Sequence, residues 1–282
     1  MQIRAGYHLE VDCSEITPMV LMLSVHPSET QRLLTPDRIR SAPATILRPY
    51  RDSFGNICHR LTAQPGRLSL RADFVVEDDG LPDAMPHGAR QHPVNELPDD
   101  VLQFLLASRY CETERLMPLA WEKFGSVPEG LARVQAVVDY VHGRIRFGYQ
   151  HARNTRTAFE AHEEGVGVCR DYAHLAVALC RCLNIPARYV NGYLGDIGVP
   201  AVPDPMDFSA WFQVWLGGRW CTFDARHNKP RIGRILIAVG RDAADVAMIT
   251  SFGQVNLSRF DIVTEEVTDG GVAGERIAAG WA

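Results

Sequence analysis

The 282-residue chain has no CxxC pair, no apolar run of bilayer length and no surplus of basic charge, and each absence removes a class of function. Its seven cysteines are Cys13, Cys58, Cys111, Cys169, Cys180, Cys182 and Cys221. They follow no metal-ligand spacing, so neither a metal nor a cofactor is expected. Cys180 and Cys182 beside His174 are no exception, because two helical residues two positions apart point about 200° away from each other. The first long apolar stretch, Ile16 to Val25, is too short to span a membrane, and Glu10 and Asp12 interrupt any leader-like region. Lys+Arg number 29 against 34 Asp+Glu, which gives no basis for a grip on phosphates. Neither nucleic acid nor membrane is therefore an expected partner. There is also no internal repeat and no low-complexity tract. An odd cysteine count leaves at least one thiol free, and the expected setting is cytoplasmic and reducing, where a working cysteine is catalytic rather than structural.

What is present falls into two parts. In residues 1–95, short β-favouring stretches such as ITPMVLMLSV and RLSLRADFVVEDDG alternate with turn residues, including Gly55-Asn56 and Gly66. No sustained 3.6-residue period appears, so an N-terminal β-sandwich is expected. Leu81 to Asp100 carries Pro82, Pro86, Pro93 and Pro98 and reads as a linker. Residues 96–265 then form the second unit, and 266–282 a loose tail.

In that second unit Asp99–Tyr110 is a first expected helix. Leu131, Val134, Val138, Val141 and Ile145 mark one face of another. Thr157 with Glu160 predicts a capping box, with Gly165 and Gly167 ending the helix it starts. A helix is expected from Cys169 to Leu183, stopped by Asn184 and Pro186. Strands follow at ARYVNGYL, SAWFQVWL and RWCTFDA, the last two joined through Gly217-Gly218 as a hairpin.

Cys169 stands apart because a Gly-Val-Gly-Val run delivers it to a helix start, where unpaired N–H groups and the helix dipole favour a thiolate. The plain alternative is a small buried residue at a helix end. A nucleophilic cysteine needs a base and a group to orient that base. With Gly217-Gly218 central in the turn, Leu216 faces Arg219 and Trp211 faces Asp224. Ser209 and Asp224 are then diagonal neighbours about 7–8 Å apart at the backbone. Trp211, Trp215 and Trp220 either wall a substrate cleft, with Trp211 as the candidate substrate-binding residue, or pack a core.

The segments GVCRDYAHLAVALCRCLNIPARYVNGYL and DFSAWFQVWLGGRWCTFDARHN resemble the core of bacterial transglutaminase-like proteins, a superfamily of cysteine proteases, transglutaminases and related amide-cleaving enzymes. The upstream part, with YRDSFGN, resembles the β-rich domain that commonly precedes that core, so the likeness runs from about residue 1 to residue 260. The resemblance implies an α+β, papain-related fold, with a central helix on an antiparallel sheet. It implies a Cys-His-Asp triad acting on a protein or peptide substrate. Cys169 matches the nucleophile and Asp224 the orienting carboxylate.

The base is expected within an Asp-Phe-His-Ala-Trp stretch, and this chain has Ser209 there. A hydroxyl cannot hold a proton reversibly near neutral pH. Three accounts compete: a protein that keeps its cleft for binding only, a serine introduced by design, or a histidine elsewhere. His174 lies about 140° round the helix from Cys169 and reads as structural. His227, three residues after Asp224, falls on the wrong strand face unless the strand breaks near Ala225. It is otherwise a surface-loop histidine. The expected function is a cysteine peptidase or amidase working through a Cys169 thioester. The alternatives are a silent peptide-binding relative, or a protein whose β-domain does the work.

Overall fold

The computed structural model describes residues 1–202 and 206–268. Strands β1 (Gln2–Cys13), β2 (Thr17–Leu21), β3 (Arg40–Ala42), β4 (Arg48–Arg51), β5 (Ile57–Ala63) and β6 (Gly66–Glu77) open the chain. Helices α1 (Asp99–Leu102), α2 (Thr113–Phe124) and α3 (Leu131–Arg144) follow. Next come β7 (Arg146–Phe147), α4 (Ala158–Glu164), β8 (Val166–Gly167) and α5 (Cys169–Cys182). The chain continues as β9 (Ala187–Tyr193), β10 (Ser209–Leu216), β11 (Arg219–Phe223), β12 (Ile235–Gly240), β13 (Ile249–Ser251) and β14 (Val255–Glu266). No helix among the described residues is long and apolar enough to cross a membrane.

Two four-stranded sheets, β14-β1-β6-β3 and β13-β2-β5-β4, form the sandwich. Alternate residues of β1 and β6 point inward, so Leu9, Val11, Leu70 and Phe74 meet Met19 and Leu21 of the facing sheet in one core. Burying each such side chain contributes about 1.5–3 kcal/mol. The last two strands return to this unit: β14 pairs along β1 from Ile3↔Glu266 to Cys13↔Val255, and β13 pairs with β2. The expected division gave 249–265 to the second unit. β14 instead follows β1 for nearly its whole length, a pairing between chain ends that no local pattern announces. Of the expected loose tail at 266–282, Glu266 closes β14 and Val267 N–H donates to the Gln2 carbonyl. Residues 269–282 lie outside the described part.

The second unit has its own antiparallel sheet, β11-β10-β9-β12, with α5 packed on it. Phe212, Val214 and Leu216 of β10 share a core with Leu175, Ala176 and Leu179 of α5 and Val134, Val138 and Val141 of α3. The hairpin register is the expected one, Leu216↔Arg219 through Phe212↔Phe223. Gly217 and Gly218 adopt φ values of 59° and 80°, the left-handed pair that a two-residue turn needs. Thr157 and Glu160 make the expected capping box, and Gly165 closes α4 at φ 63°. Asp99–Tyr110 is shorter than expected. One α-turn and a 3-10 turn give way at Leu106, and Ser108 and Cys111 then pair their backbones.

Trp211 also finds its place here. It is buried with Val190, Leu236 and Val239, its ring lying across Gly192 of β9. A Cβ on Gly192 would sit 2.5 Å from Trp211 Cη2 and would collide with the Ile235 carbonyl. Gly192→Ala is therefore expected to destabilise by about 1–3 kcal/mol, read as a lowered urea midpoint with an unchanged m-value.

Candidate active site

Cys169 is the first residue of α5, with Val168 extended before it. Asp171 fixes this helix start: its Oδ2 accepts the Val168 N–H at 2.9 Å and an N–H of the buried Arg156 at 3.1 Å. All seven cysteines are free; six are buried and Cys169 alone is partly exposed. It lines a cleft of about 480 Å³ together with Ser209, Asp207, Arg226, His227 and, from the sandwich, Thr264 to Glu266.

Burial pushes the Cys169 thiol up to about 11, although Arg226 and the Ala210 N–H pull the other way; Asp207 and Asp224 add to the rise. The helix start alone favours a thiolate, and here burial outweighs it. The free protein is therefore expected to hold a protonated thiol at neutral pH. Its alkylation by iodoacetamide is expected to be slow at pH 7 and to rise about tenfold per pH unit. A plateau reached below pH 8 would contradict this.

Asp224 follows the end of β11. Its Oδ1 accepts the N–H groups of Arg226 and His227, both at 3.0 Å, and its Oδ2 accepts His227 Nδ1 at 2.8 Å and Arg234 Nη2 at 2.9 Å. Burial opposes the charged form, but the Arg234 guanidinium and then the His227 ring hold the carboxyl well below its ordinary value. The same side chain breaks the strand. Capping the N–H groups at 226 and 227 turns the chain, and Asn228 N–H closes the turn on the Asp224 carbonyl at 2.8 Å. Helix α3 anchors the turn: His142 Nδ1 lies 3.1 and 3.0 Å from the carbonyls of Ala225 and Arg226, and Asn228 donates to Asp139.

The strand break that His227 requires is thus present, and it returns the imidazole to Asp224 and to the cleft. His174 is buried, stacked on Tyr110, and accepts the Ala243 N–H at 3.1 Å, as a structural histidine does. Ser209 opens β10 with its Oγ buried and without a hydrogen-bond partner among the described residues. Trp211, the candidate substrate-binding residue, does not line the Cys169 cleft. It shares a face of β10 with Ser209 but lies two residues further along the strand, where it lines a separate surface hollow with the Arg234 guanidinium 4.8 Å from its ring.

Residues 120–225 match the transglutaminase-like superfamily core. This chain carries a transglutaminase-like core. A solved structure of a candidate cysteine protease from Cytophaga hutchinsonii superposes with a TM-score of 0.82 at 27% identity, covering 96% of this chain and 92% of that one. That agreement includes the β-rich N-terminal unit. An uncharacterized protein of Mycobacterium leprae is 25% identical over 248 residues, 84% of this chain and 88% of its own. One from Mycobacterium tuberculosis is 36% identical over 89 residues, 28% of each chain.

Arg226 and Asp207 line the Cys169 cleft, and Arg234 and Asp83 continue from Asp224 behind it; the sequence singled out none of the four. Arg226 follows directly on the Trp-x-x-Phe-Asp stretch and was within reach of a local reading. Asp83 and Arg234 are 151 positions apart, and only the fold brings them together at 2.9 Å.

Proposed function

We propose that this protein is a transglutaminase-like cysteine enzyme that cleaves amide bonds of a protein or peptide substrate, as a peptidase or amidase, in the reducing cytoplasm. The observation that carries the reading is the 2.8 Å contact between His227 Nδ1 and Asp224 Oδ2 at the cleft that Cys169 lines. With Nδ1 committed to the carboxylate, Nε2 is the nitrogen free to take a proton. As Cys169 Sγ attacks the amide carbonyl, its proton passes to Nε2. The imidazolium then returns that proton to the leaving amine, and a thioester remains. Water, activated by the same ring, releases the acid and restores the thiol. Among the described residues no hydrogen bond joins Cys169 to an imidazole, and contacts of this kind often tighten only when substrate is bound. The Cys169 N–H at the start of α5 is suited to receive the oxyanion.

The test is turnover of a library of fluorogenic peptide amides, with dansylcadaverine as a competing amine. The reading expects release of the fluorophore by wild type and none by Cys169→Ala, with little amine incorporated. No turnover of any amide or activated ester would contradict it. The serine at the family's histidine position and the protonated thiol favour a second reading, a peptide-binding protein without turnover. That reading expects Cys169→Ala to bind peptides as wild type does, with neither protein cleaving them.

A further inference from the structure

The Asp224 carboxylate accepts four hydrogen bonds, two on each oxygen, which fills its capacity. Three come from its own turn. The fourth comes from Arg234, which precedes β12, and this donor is itself held. Asp83, from the proline-rich segment between the two units, receives Arg234 Nε on both carboxylate oxygens at 3.1 and 2.9 Å. Asp83 is fixed in turn by Arg231: its N–H donates to the Arg231 carbonyl and its Oδ2 accepts the Arg231 N–H, both at 2.9 Å. The guanidinium is buried, one face over Trp211. A continuous chain of charge-assisted bonds therefore runs from the inter-unit segment to the imidazole, Asp83–Arg234–Asp224–His227.

We propose that Arg234, clamped by Asp83, is a positioning residue that sets the plane of the Asp224 carboxylate and through it the orientation of the His227 ring. The inference rests on the reading of His227 as the base. The physical reason is competition for one oxygen. Arg234 occupies one lone pair of Oδ2 and leaves the other aimed at Nδ1. Without Arg234 the carboxylate keeps only the three bonds of its own turn, and the Oδ2 lone pair that faces Nδ1 is held less firmly in place. A misplacement of about 1 Å at a reacting group costs about 10²-fold in rate. Asp83 acts one bond further out, so the segment joining the two units bears directly on the site.

The experiment combines NMR of protein labelled with ¹⁵N-histidine and acylation by p-nitrophenyl acetate. Wild type is expected to show a low-field Nδ1–H signal that is missing from His227→Gln. In Arg234→Met and Asp83→Asn that signal moves upfield or broadens. The acylation rate at saturating ester then falls by about tenfold to 10²-fold, while the half-saturation concentration changes less than about twofold. Arg234→Lys, which keeps the charge without the fork, recovers part of both. Should Arg234→Met fail to fold, Asp83→Asn and Arg234→Lys carry the same readouts. A wild type lacking the low-field signal, or a signal unmoved in the variants, overturns the proposal. A signal that moves while His227→Gln acylates at the wild-type rate supports the positioning role and removes His227 as base instead.

Discussion

Replacing His227 with alanine is expected to slow acylation of Cys169 by about 10²- to 10⁴-fold while the fold persists. The size follows from the thiol. A group pushed up to about 11 presents almost no thiolate at neutral pH, so attack depends on proton removal during the reaction. A thiolate formed in advance would make the base nearly dispensable. The fold persists because the backbone N–H of residue 227 still caps Asp224 in the alanine variant and the imidazole is partly exposed. His174→Ala is the matched control. It empties a buried, stacked position and is expected to lower stability without a comparable loss in the rate of the folded fraction. Ester acylation before and after each substitution, normalised to the folded fraction, checks both. Wild-type acylation by His227→Ala would remove that histidine from the mechanism.

The second large effect belongs to Asp224. Asp224→Ala leaves a buried guanidinium with Asp83 as its remaining carboxylate, and losing one partner of a buried ion pair costs about 3–5 kcal/mol. It also releases the turn that carries His227, so activity and stability fall together. The pH dependence has a definite sign. The carboxyl binds its proton more weakly in the folded chain than in the unfolded one, where the value is about 3.9. Its contribution is therefore complete above that value and is lost as pH falls toward the folded one. Urea unfolding is expected to show wild type losing more stability below about pH 4 than Asp224→Asn does. Parallel acid limbs for the two proteins would contradict this account of the carboxylate.

Much of this molecule was legible because it is local. The Gly217-Gly218 turn fixes its register by its own geometry, the Thr157-Glu160 box caps α4 through neighbouring groups, and the glycine approach to Cys169 marks a helix start. His227 was legible only as a condition, because its place depends on where β11 ends. That end is set by the Asp224 side chain capping its own following backbone. At Cys169 the helix start favours a thiolate and burial opposes it. Burial against Ala210 and the sandwich comes from tertiary packing, which no spacing in the sequence reveals. The return of β13 and β14 to the first unit, and the reach of Asp83 to Arg234, share that cause: both join residues far apart in the chain.

The central claim is that Cys169 and His227 work as one acyl-transfer site, and time-resolved intact-mass spectrometry with p-nitrophenyl acetate tests it most directly. The account predicts an acetyl adduct on Cys169 that forms and then hydrolyses in wild type. The adduct does not form on Cys169→Ala, and it both forms and decays slowly on His227→Ala. An adduct that appears at the same rate with and without the His227 imidazole, and never turns over, would show an ordinary thiol in a binding cleft.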